Sequence, residues 1–342
     1  MLDFDYSAPD NPQLAVSALG GPGSAVIAGG TELLNWMRLG ILQPSQLVDV
    51  RRLDGLDGIS LDGSDLRIGA RATLNDVGEH ELVREHATVL AQACLKAASA
   101  QVRNRATLGG NILQKTRCAY FRAEAPLPWG CNRRQPGSGC AAFDGQNERH
   151  AIFGWTENCV ATQPSDPAVA LACLDAEMEV LGPAGARTIA ITDFHVTPEE
   201  AEAGIGDPAK RAEAAQVETT LAPSEIITGY RIPIRESERS AYVKVRERES
   251  FEYALVAAAA TLTMRNGRIG TARLALGSVA MKPWRLGKAE AALVGAELNR
   301  EAVMPVIRSA LADARPLPHN SYKVELAGNA ALRALLTAGR QS

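Results

Sequence analysis

Four of the six cysteines in this chain, Cys118, Cys131, Cys140 and Cys159, fall within one long stretch that has no helical or strand periodicity. The stretch opens on TLGGN (Thr107 to Asn111) and closes on PSD (Pro164 to Asp166), with RCAYFRAEAPLPWGCNRRQPGSGC between them. A loop of such length inside an otherwise regular chain is either functional or disordered. Its aromatic residues (Tyr120, Phe121, Trp129, Phe143 and Trp155) and its spread cysteines argue against disorder. Something covalent or metallic is therefore expected to hold this loop, and the rest of the fold to be organised around it.

The spacings are Cys-x12-Cys, Cys-x8-Cys and Cys-x18-Cys, with no Cys-x2-Cys pair. Structural zinc usually draws on close cysteine pairs, so zinc is the weaker metal reading. Two disulfides would suit an exported protein, but the opening MLDFDYSAPD is acidic and lacks an apolar signal core. Four thiolates from an irregular loop fit an iron–sulfur cluster, which takes soft anionic ligands at irregular spacing. Lys115, Arg117, Arg122, Arg133 and Arg134 surround the cysteines and are expected to offset a cluster's charge and to lower the thiol pKa values. On spacing alone the cluster leads, with zinc, disulfides and unliganded thiols still open. Cys94 and Cys173 lie in Ala-rich helical patterns and read as small buried hydrophobes.

A second chemical signal lies near the N-terminus. A short helix (Pro12 to Leu19) and the turn GGPGS lead into the apolar strand AVIA (Ala25 to Ala28). Gly29, Gly30, Thr31 and Glu32 follow, then a helical LLNWMRLG. Glycines between a strand and a helix start let backbone N–H groups approach a phosphate, and Thr31 can add a hydroxyl donor. The simpler reading is a strand–turn–helix corner with Thr31 as N-cap. RNRATLGGN supplies a second glycine-rich turn with Thr107 and Asn111 as donors, and two such turns are what a dinucleotide pyrophosphate needs. Neither is a Rossmann fingerprint, and there is no Walker lysine.

The remainder reads as ordinary α and β segments. Leu82 to Ala100 follows the helical period, and DPAVALACLDA is a helix capped by Ser165 or Asp166. EMEVLGP, RTIAITDF and EIITGYRIPI are strands, while Thr197 to Gln216 is polar, helix-prone and expected to be exposed. The charged RESERS marks a domain junction. After it come the alternating AYVKVRERESFEY, an apolar helix or strand ALVAAAATLTM, an Asn266–Gly267 hairpin signal and the strand ARLALGSVA. Two helical patterns end the chain, Ala289 to Ala314 and Tyr322 to Ala338. The 342 residues suffice for two domains, and a net charge of −3 makes no case for nucleic acid or an anionic membrane. No apolar run approaches the length of a membrane span. Scattered histidines and the absence of a nucleophile motif exclude the common hydrolase classes.

AGGTELL at 28–34, TLGGNILQKTRC at 107–118, CNRRQPGSGC at 131–140 and PSD at 164–166 resemble the FAD-binding subunit of the molybdenum hydroxylases, the xanthine dehydrogenase and aldehyde oxidoreductase family. KVRERESFEYALVAAA and ALGSVAMKPWR resemble its C-terminal domain, so the likeness spans nearly the whole chain. The cysteine insertion resembles the subgroup whose flavin subunit carries an extra [4Fe-4S] cluster, which raises the cluster reading well above zinc. The resemblance implies an α+β fold: a vanillyl-alcohol-oxidase-type (PCMH-like) FAD domain over 1–236, then a C-terminal α+β domain over 237–342. The first would divide into subdomains of about 1–55 and 56–236, with the iron–sulfur insertion at about 115–162. By the same resemblance Ile27, Ala28, Gly29, Gly30, Thr31, Glu32 and Leu33, with Thr107, Gly109, Gly110 and Asn111, would wrap the FAD pyrophosphate. Asp166 would occupy the flavin-binding aspartate position, and Ile227 and Lys244 would contact the flavin from the C-terminal side. Cys118, Cys131, Cys140 and Cys159 would hold the cluster.

The chain has no Cys-x4-Cys-x2-Cys set for a plant-type [2Fe-2S] centre and no large molybdopterin domain. The resemblance therefore implies one subunit of a heteromer, working with a molybdopterin-binding large subunit and a [2Fe-2S] small subunit. Electrons from the partners would reach FAD and leave to an external acceptor, and no residue of this chain is expected to act as acid or base in the substrate's oxidation. The insertion puts NAD in doubt as that acceptor. Two rivals are a self-contained flavin oxidase and a zinc-bound scaffold. Without a signal at Met1 the cytoplasm is expected, or the periplasm by co-export with a signal-bearing partner.

Overall fold

The computed structural model describes residues 2–340; Met1, Gln341 and Ser342, the outer ends of the two expected domains, lie outside them. The N-terminal segment alternates strand and helix: β1 (Asp5–Ser7), α1 (Pro12–Ala18), β2 (Ser24–Ile27), α2 (Leu33–Arg38) and β3 (Gln46–Asp49). Its strands pair in parallel in the order β1-β3-β2, with the helices as the crossovers that parallel pairing requires. Asn11 starts α1 by accepting from Leu14 N at 2.9 Å, and Pro12 sits in the first turn, where a missing N–H costs nothing.

A hairpin of β4 (Ile59–Asp62) and β5 (Asp65–Gly69) opens the second unit and leads into α3 (Leu74–Glu79), which Thr73 and Asp76 hold in a reciprocal capping box. The single helix expected from Leu82 to Ala100 is instead α4 (Glu81–His86), α5 (Thr88–Lys96) and α6 (Ala100–Arg103). The chain leaves helical geometry at Ala87 and again at Ala97 and Ala98, the latter with φ of 46°. Ser240, far along the chain, accepts the Val89 N–H at the start of α5. The apolar period continues across both breaks, so the pattern alone reads as one helix.

Next come α7 (Leu108–Ile112), α8 (Ala119–Arg122), α9 (Ala141–Asp144) and α10 (Asp166–Cys173), with the cysteine loop between α7 and α10. The hairpin β6 (Glu177–Gly182) and β7 (Gly185–Ala190) precedes α11 (Ile191–Phe194), so the end of RTIAITDF is a helical turn and not strand. The polar stretch forms α12 (Pro198–Glu202) and α13 (Pro208–Ala214), and it is not wholly exposed, since the Glu202 carboxylate is buried against Thr156, Asn158 and Arg211. β8 (Ile226–Pro233) then inserts between β5 and β6, giving the five-stranded order β4-β5-β8-β6-β7.

The last unit is an antiparallel sheet of β9 (Arg239–Val245), β10 (Val256–Arg265), β11 (Arg268–Gly277) and β12 (Trp284–Arg285), in the order β12-β11-β10-β9. Asn266 and Gly267 both take positive φ, as a tight hairpin turn demands. VAAAATLTM is the strand β10, and both of its faces are buried. Ala257 and Ala259 join the core around α5 and α10, whereas Val256, Ala258, Ala260 and Leu262 join the C-terminal core. A strand buried on both sides has no polar alternation, which is why its pattern is ambiguous. The final helices are α14 (Gly287–Leu293), α15 (Arg300–Ala310) and α16 (Tyr322–Gly339); the pattern from Ala289 to Ala314 is thus two helices. The architecture is α+β. Among the described residues no helix is long and apolar enough to cross a membrane.

Candidate functional site

A cavity of about 910 Å³ is lined by Ala28, Gly29, Gly30, Thr31, Glu32 and Leu33, by Thr107, Gly109, Gly110 and Asn111, and by Asp166 and Ile227. Of the expected cofactor residues only Ile27 and Lys244 stand outside its wall. Ile27 packs beneath the first glycine loop with Leu33, Met37 and Leu47, and Lys244 reaches the wall through Asp166. A cleft of this size suits a cofactor.

The two glycine segments are built differently. Gly29 is where backbones meet: a Cβ there would lie 1.8 Å from the Arg105 carbonyl oxygen. Gly30 has φ of 72°, a conformation that strains any side chain, and a Cβ there would lie 3.2 Å from the Leu34 side chain. None of the backbone N–H groups of Gly29, Gly30, Thr31 and Glu32 donates to another described group, which leaves a run of donors at the cavity wall. That cradle fits an anionic phosphate. Thr31 is not the N-cap of α2; Glu32 holds that position and makes no side-chain cap bond.

TLGGN is no turn but the start of α7. Thr107 caps it by accepting from Gly110 N at 3.1 Å, and Gly109 N donates to Ala70 O at 2.9 Å. A Cβ on Gly109 would sit 3.1 Å from that carbonyl oxygen, whereas one on Gly110 would meet only Thr107 Oγ1 at 3.0 Å. The close approach therefore falls at Gly109. Asn111 accepts from Ser165 Oγ at 2.6 Å and so ties α7 to the cap of α10.

Ser165 is that cap, accepting from Ala168 N at 3.1 Å, and this frees the Asp166 side chain for other work. Asp166 accepts from Tyr242 Oη at 2.6 Å and from Lys244 Nζ at 2.8 Å. Burial first, and then the neighbouring Asp166 charge, push the Tyr242 phenol well above its ordinary pKa, so it stays a hydrogen-bond donor. Lys244 also donates to Lys96 O at 3.1 Å.

The cysteine loop gathers its thiols, with Cys118 in one small packed group with Cys159 and in another with Cys140. Cys131 and Cys140 pair across an isolated antiparallel bridge, while Cys118 and Cys140 stand at the starts of α8 and α9. The N–H groups of Phe121, Arg134 and Phe143 donate to the carbonyl oxygens of Cys118, Cys131 and Cys140, which closes a turn at each of these cysteines. The Arg133 guanidinium donates to Ala215 O at 2.9 Å and to the Glu218 carboxylate. Four cysteines gathered in one loop are, by chemistry, the soft donor set that an iron–sulfur cluster takes. All six cysteines are free of disulfides, and among the described residues no group of three or more His, Cys, Asp or Glu side chains is arranged to hold a metal ion.

The expected lowering of the thiol pKa does not occur at Cys118, Cys131 or Cys140. Burial, reinforced by the other thiols, pushes Cys118 up to about 12 and Cys140 up to about 11, and Cys131 is raised as well. The surrounding cations are mostly committed elsewhere. Lys115 and Arg133 pair with Glu218, Arg117 and Arg122 pair with Glu32, and Arg134 bonds the carbonyls of Phe121, Ala123 and Gly40. Cys94 and Cys173 are fully buried in α5 and α10, apart from the loop's thiols.

Residues 2–235 match the family described as the FAD binding domain in molybdopterin dehydrogenase, and residues 241–338 match the CO dehydrogenase flavoprotein C-terminal domain. The chain belongs to the FAD-binding subunits of the molybdenum hydroxylases. It is 41% identical over 330 residues to the aldehyde oxidoreductase FAD-binding subunit PaoB of Escherichia coli K12, covering 96% of this chain and 95% of that protein. The carbon monoxide dehydrogenase medium chain of Afipia carboxidovorans is 27% identical, with 95% and 93% covered. Among solved structures, carbon monoxide dehydrogenase from Hydrogenophaga pseudoflava is similar with a TM-score of 0.74 at 27% identity, over 99% of this chain and 98% of that one.

For an FAD-binding subunit, several side chains at the cavity escape a motif-based reading. Tyr242 holds Asp166, and Gln163 donates to Ile112 O at 3.1 Å and accepts from Ser165 N, fixing the turn between the cysteine loop and α10. Tyr253 lines the cavity with the Arg117 guanidinium 4.1 Å above its ring. Alternation in β9 gives Tyr242 and Lys244 the same face, a signal that could have paired them. Nothing local marks Gln163 or Tyr253.

Proposed function

We propose that this chain is the electron-transfer subunit of a heteromeric molybdenum hydroxylase, holding FAD in the cavity and one [4Fe-4S] cluster on Cys118, Cys131, Cys140 and Cys159. The observation that carries the flavin site is the run of free N–H donors from Gly29 to Glu32 on the wall of a cavity that the second glycine segment also lines. Gly29 to Glu32 bind the pyrophosphate, Thr107 to Asn111 close its other side, and Asp166, fixed by Tyr242 and Lys244, orients the flavin end together with Ile227. Bound FAD supplies the exchange between single-electron and two-electron carriers. The gathering of four cysteines in one loop supports the cluster, and the likeness to an aldehyde oxidoreductase FAD-binding subunit supports partners that bear molybdopterin and [2Fe-2S] centres.

In this reading the FAD domain spans 1–236, with subdomains of about 1–55 and 56–236, and the C-terminal domain spans 237–342. The chain resides in the cytoplasm, or in the periplasm if a partner carries it there. The experiment is co-purification from the native host with metal, sulfide and flavin analysis of the complex. One FAD, four iron and four sulfide per copy of this chain, beyond what the partners hold, is the expected result. A complex without flavin would overturn the reading.

A further inference from the structure

The helix that follows the first glycine loop is held at both ends by the cysteine loop. At its N-terminal end the Glu32 carboxylate accepts from Arg117, next to Cys118, and from Arg122 at 2.9 Å, in the short helix that Cys118 begins. All three side chains are largely shielded from water. At the C-terminal end Arg134, three residues beyond Cys131, donates to Gly40 O at 3.1 Å, while Ala125 N donates to Leu39 O at 3.3 Å. Between the ends, the Lys115 ammonium lies 5.3 Å from the Trp36 ring centre. The free N–H groups of Gly29 to Glu32 precede α2 directly, so the pose of α2 is the pose of the cradle.

We propose that Glu32 is a positioning residue through which order in the cysteine loop sets the FAD affinity of the glycine loop, so that cluster assembly and flavin binding favour each other. The inference rests on the cluster reading above. A loop without its metal centre is free to move Arg117, Arg122 and Arg134, and α2 then loses its holds at both ends together. A charge-assisted network shielded from water transmits such a displacement better than exposed pairs would. Thermodynamic linkage makes the effect reciprocal: whatever factor the cluster adds to FAD affinity, FAD adds to cluster affinity.

The test uses the purified full chain, stripped of iron or reconstituted anaerobically with ferrous iron and sulfide, and calorimetric titration with FAD. The iron-loaded chain should bind FAD about tenfold more tightly than the stripped chain, within the usual range of coupling between sites. Glu32→Gln should bring that ratio close to one without changing iron content, and Arg134→Met, at the other end of α2, should lower it as well. A variant that weakened FAD equally in both states would show that Glu32 only folds the loop, and would overturn the proposal. Full iron loading with unchanged FAD affinity in the wild type overturns the coupling alone. Failure of the wild type to take up iron and sulfide overturns the cluster reading and the coupling together.

Discussion

Lys244 places its ammonium 2.8 Å from an Asp166 carboxylate oxygen, with both side chains almost wholly buried. The pair joins β9 of the C-terminal sheet to the first turn of α10, and Tyr242 donates to the same carboxylate from the same face of β9. Asp166 thus faces the cavity as a charge already neutralised and hydrogen-bonded, which is what makes a buried carboxylate tolerable there.

Lys244→Met should therefore cost more than the interaction itself is worth, because it strands a buried carboxylate. The expected loss is about 3–5 kcal/mol of unfolding free energy. Asp166→Asn combined with Lys244→Met should recover part of it. Denaturant unfolding of the single and double variants gives the comparison, and equal stability of Lys244→Met and wild type would remove the pair from the argument.

The glycines separate in the same way. Gly29→Ala puts a Cβ 1.8 Å from a backbone oxygen, so the loop must shift and FAD occupancy should fall steeply. Gly30→Val adds the strain of a β-branched residue at φ of 72°, about 1–2 kcal/mol or more, and should also weaken FAD. Gly110→Ala meets only the Thr107 hydroxyl, at 3.0 Å, and should be the mildest of the three. Flavin absorbance per protein after gel filtration ranks them, and the reverse order would contradict the assignment of the cradle to Gly29.

What the sequence disclosed and what it withheld divides along contact range. Pro12 and the Asn266–Gly267 turn are local devices, and the elements they bound are legible without a structure. TLGGN reads as a turn because glycines usually break helices, yet the carbonyls of Ala70 and Ala72 take its first N–H groups and hold it helical. Asp166 reads as an N-cap because its partners Tyr242 and Lys244 lie some 76 and 78 residues away. The arginines beside the cysteines read as thiol activators for the same reason. Their carboxylate partners, Glu32 and Glu218, are distant in sequence and carry no spacing signal.

Lys323 supplies a pH dependence. It is fully buried on α16, donates to His150 O at 2.8 Å and Ser278 O at 2.5 Å, and burial pushes its pKa down to about 7. An unfolded lysine titrates near ~10.4, so between about pH 7 and 10 the unfolded chain binds more protons and this group makes stability rise with pH. Its contribution is complete above the unfolded value and is lost as pH falls through about 7. Lys323→Met should remove that slope. Urea midpoints of both proteins across this range test it, and parallel curves would exclude Lys323 as the source.

The cysteines give the last prediction. Cys131 sits in the short bridge with Cys140, in the loop that also gathers Cys118 and Cys159. Cys173, by contrast, is sealed in α10 with its sulfur 3.4 Å from Arg273 O. Cys131→Ser should lose iron and the broad visible absorbance that accompanies it, whereas Cys173→Ala should keep both. A metal centre is itself folding free energy, so the Cys131 variant should also unfold more readily in the loop region, read by proteolysis between Cys118 and Cys159. If the cluster only fastens the loop, a variant that still folds should reduce its flavin at the normal rate with partners and substrate present. If it carries electrons, that rate should drop. Zinc in place of iron and sulfide in anaerobically prepared chain would end the cluster assignment altogether.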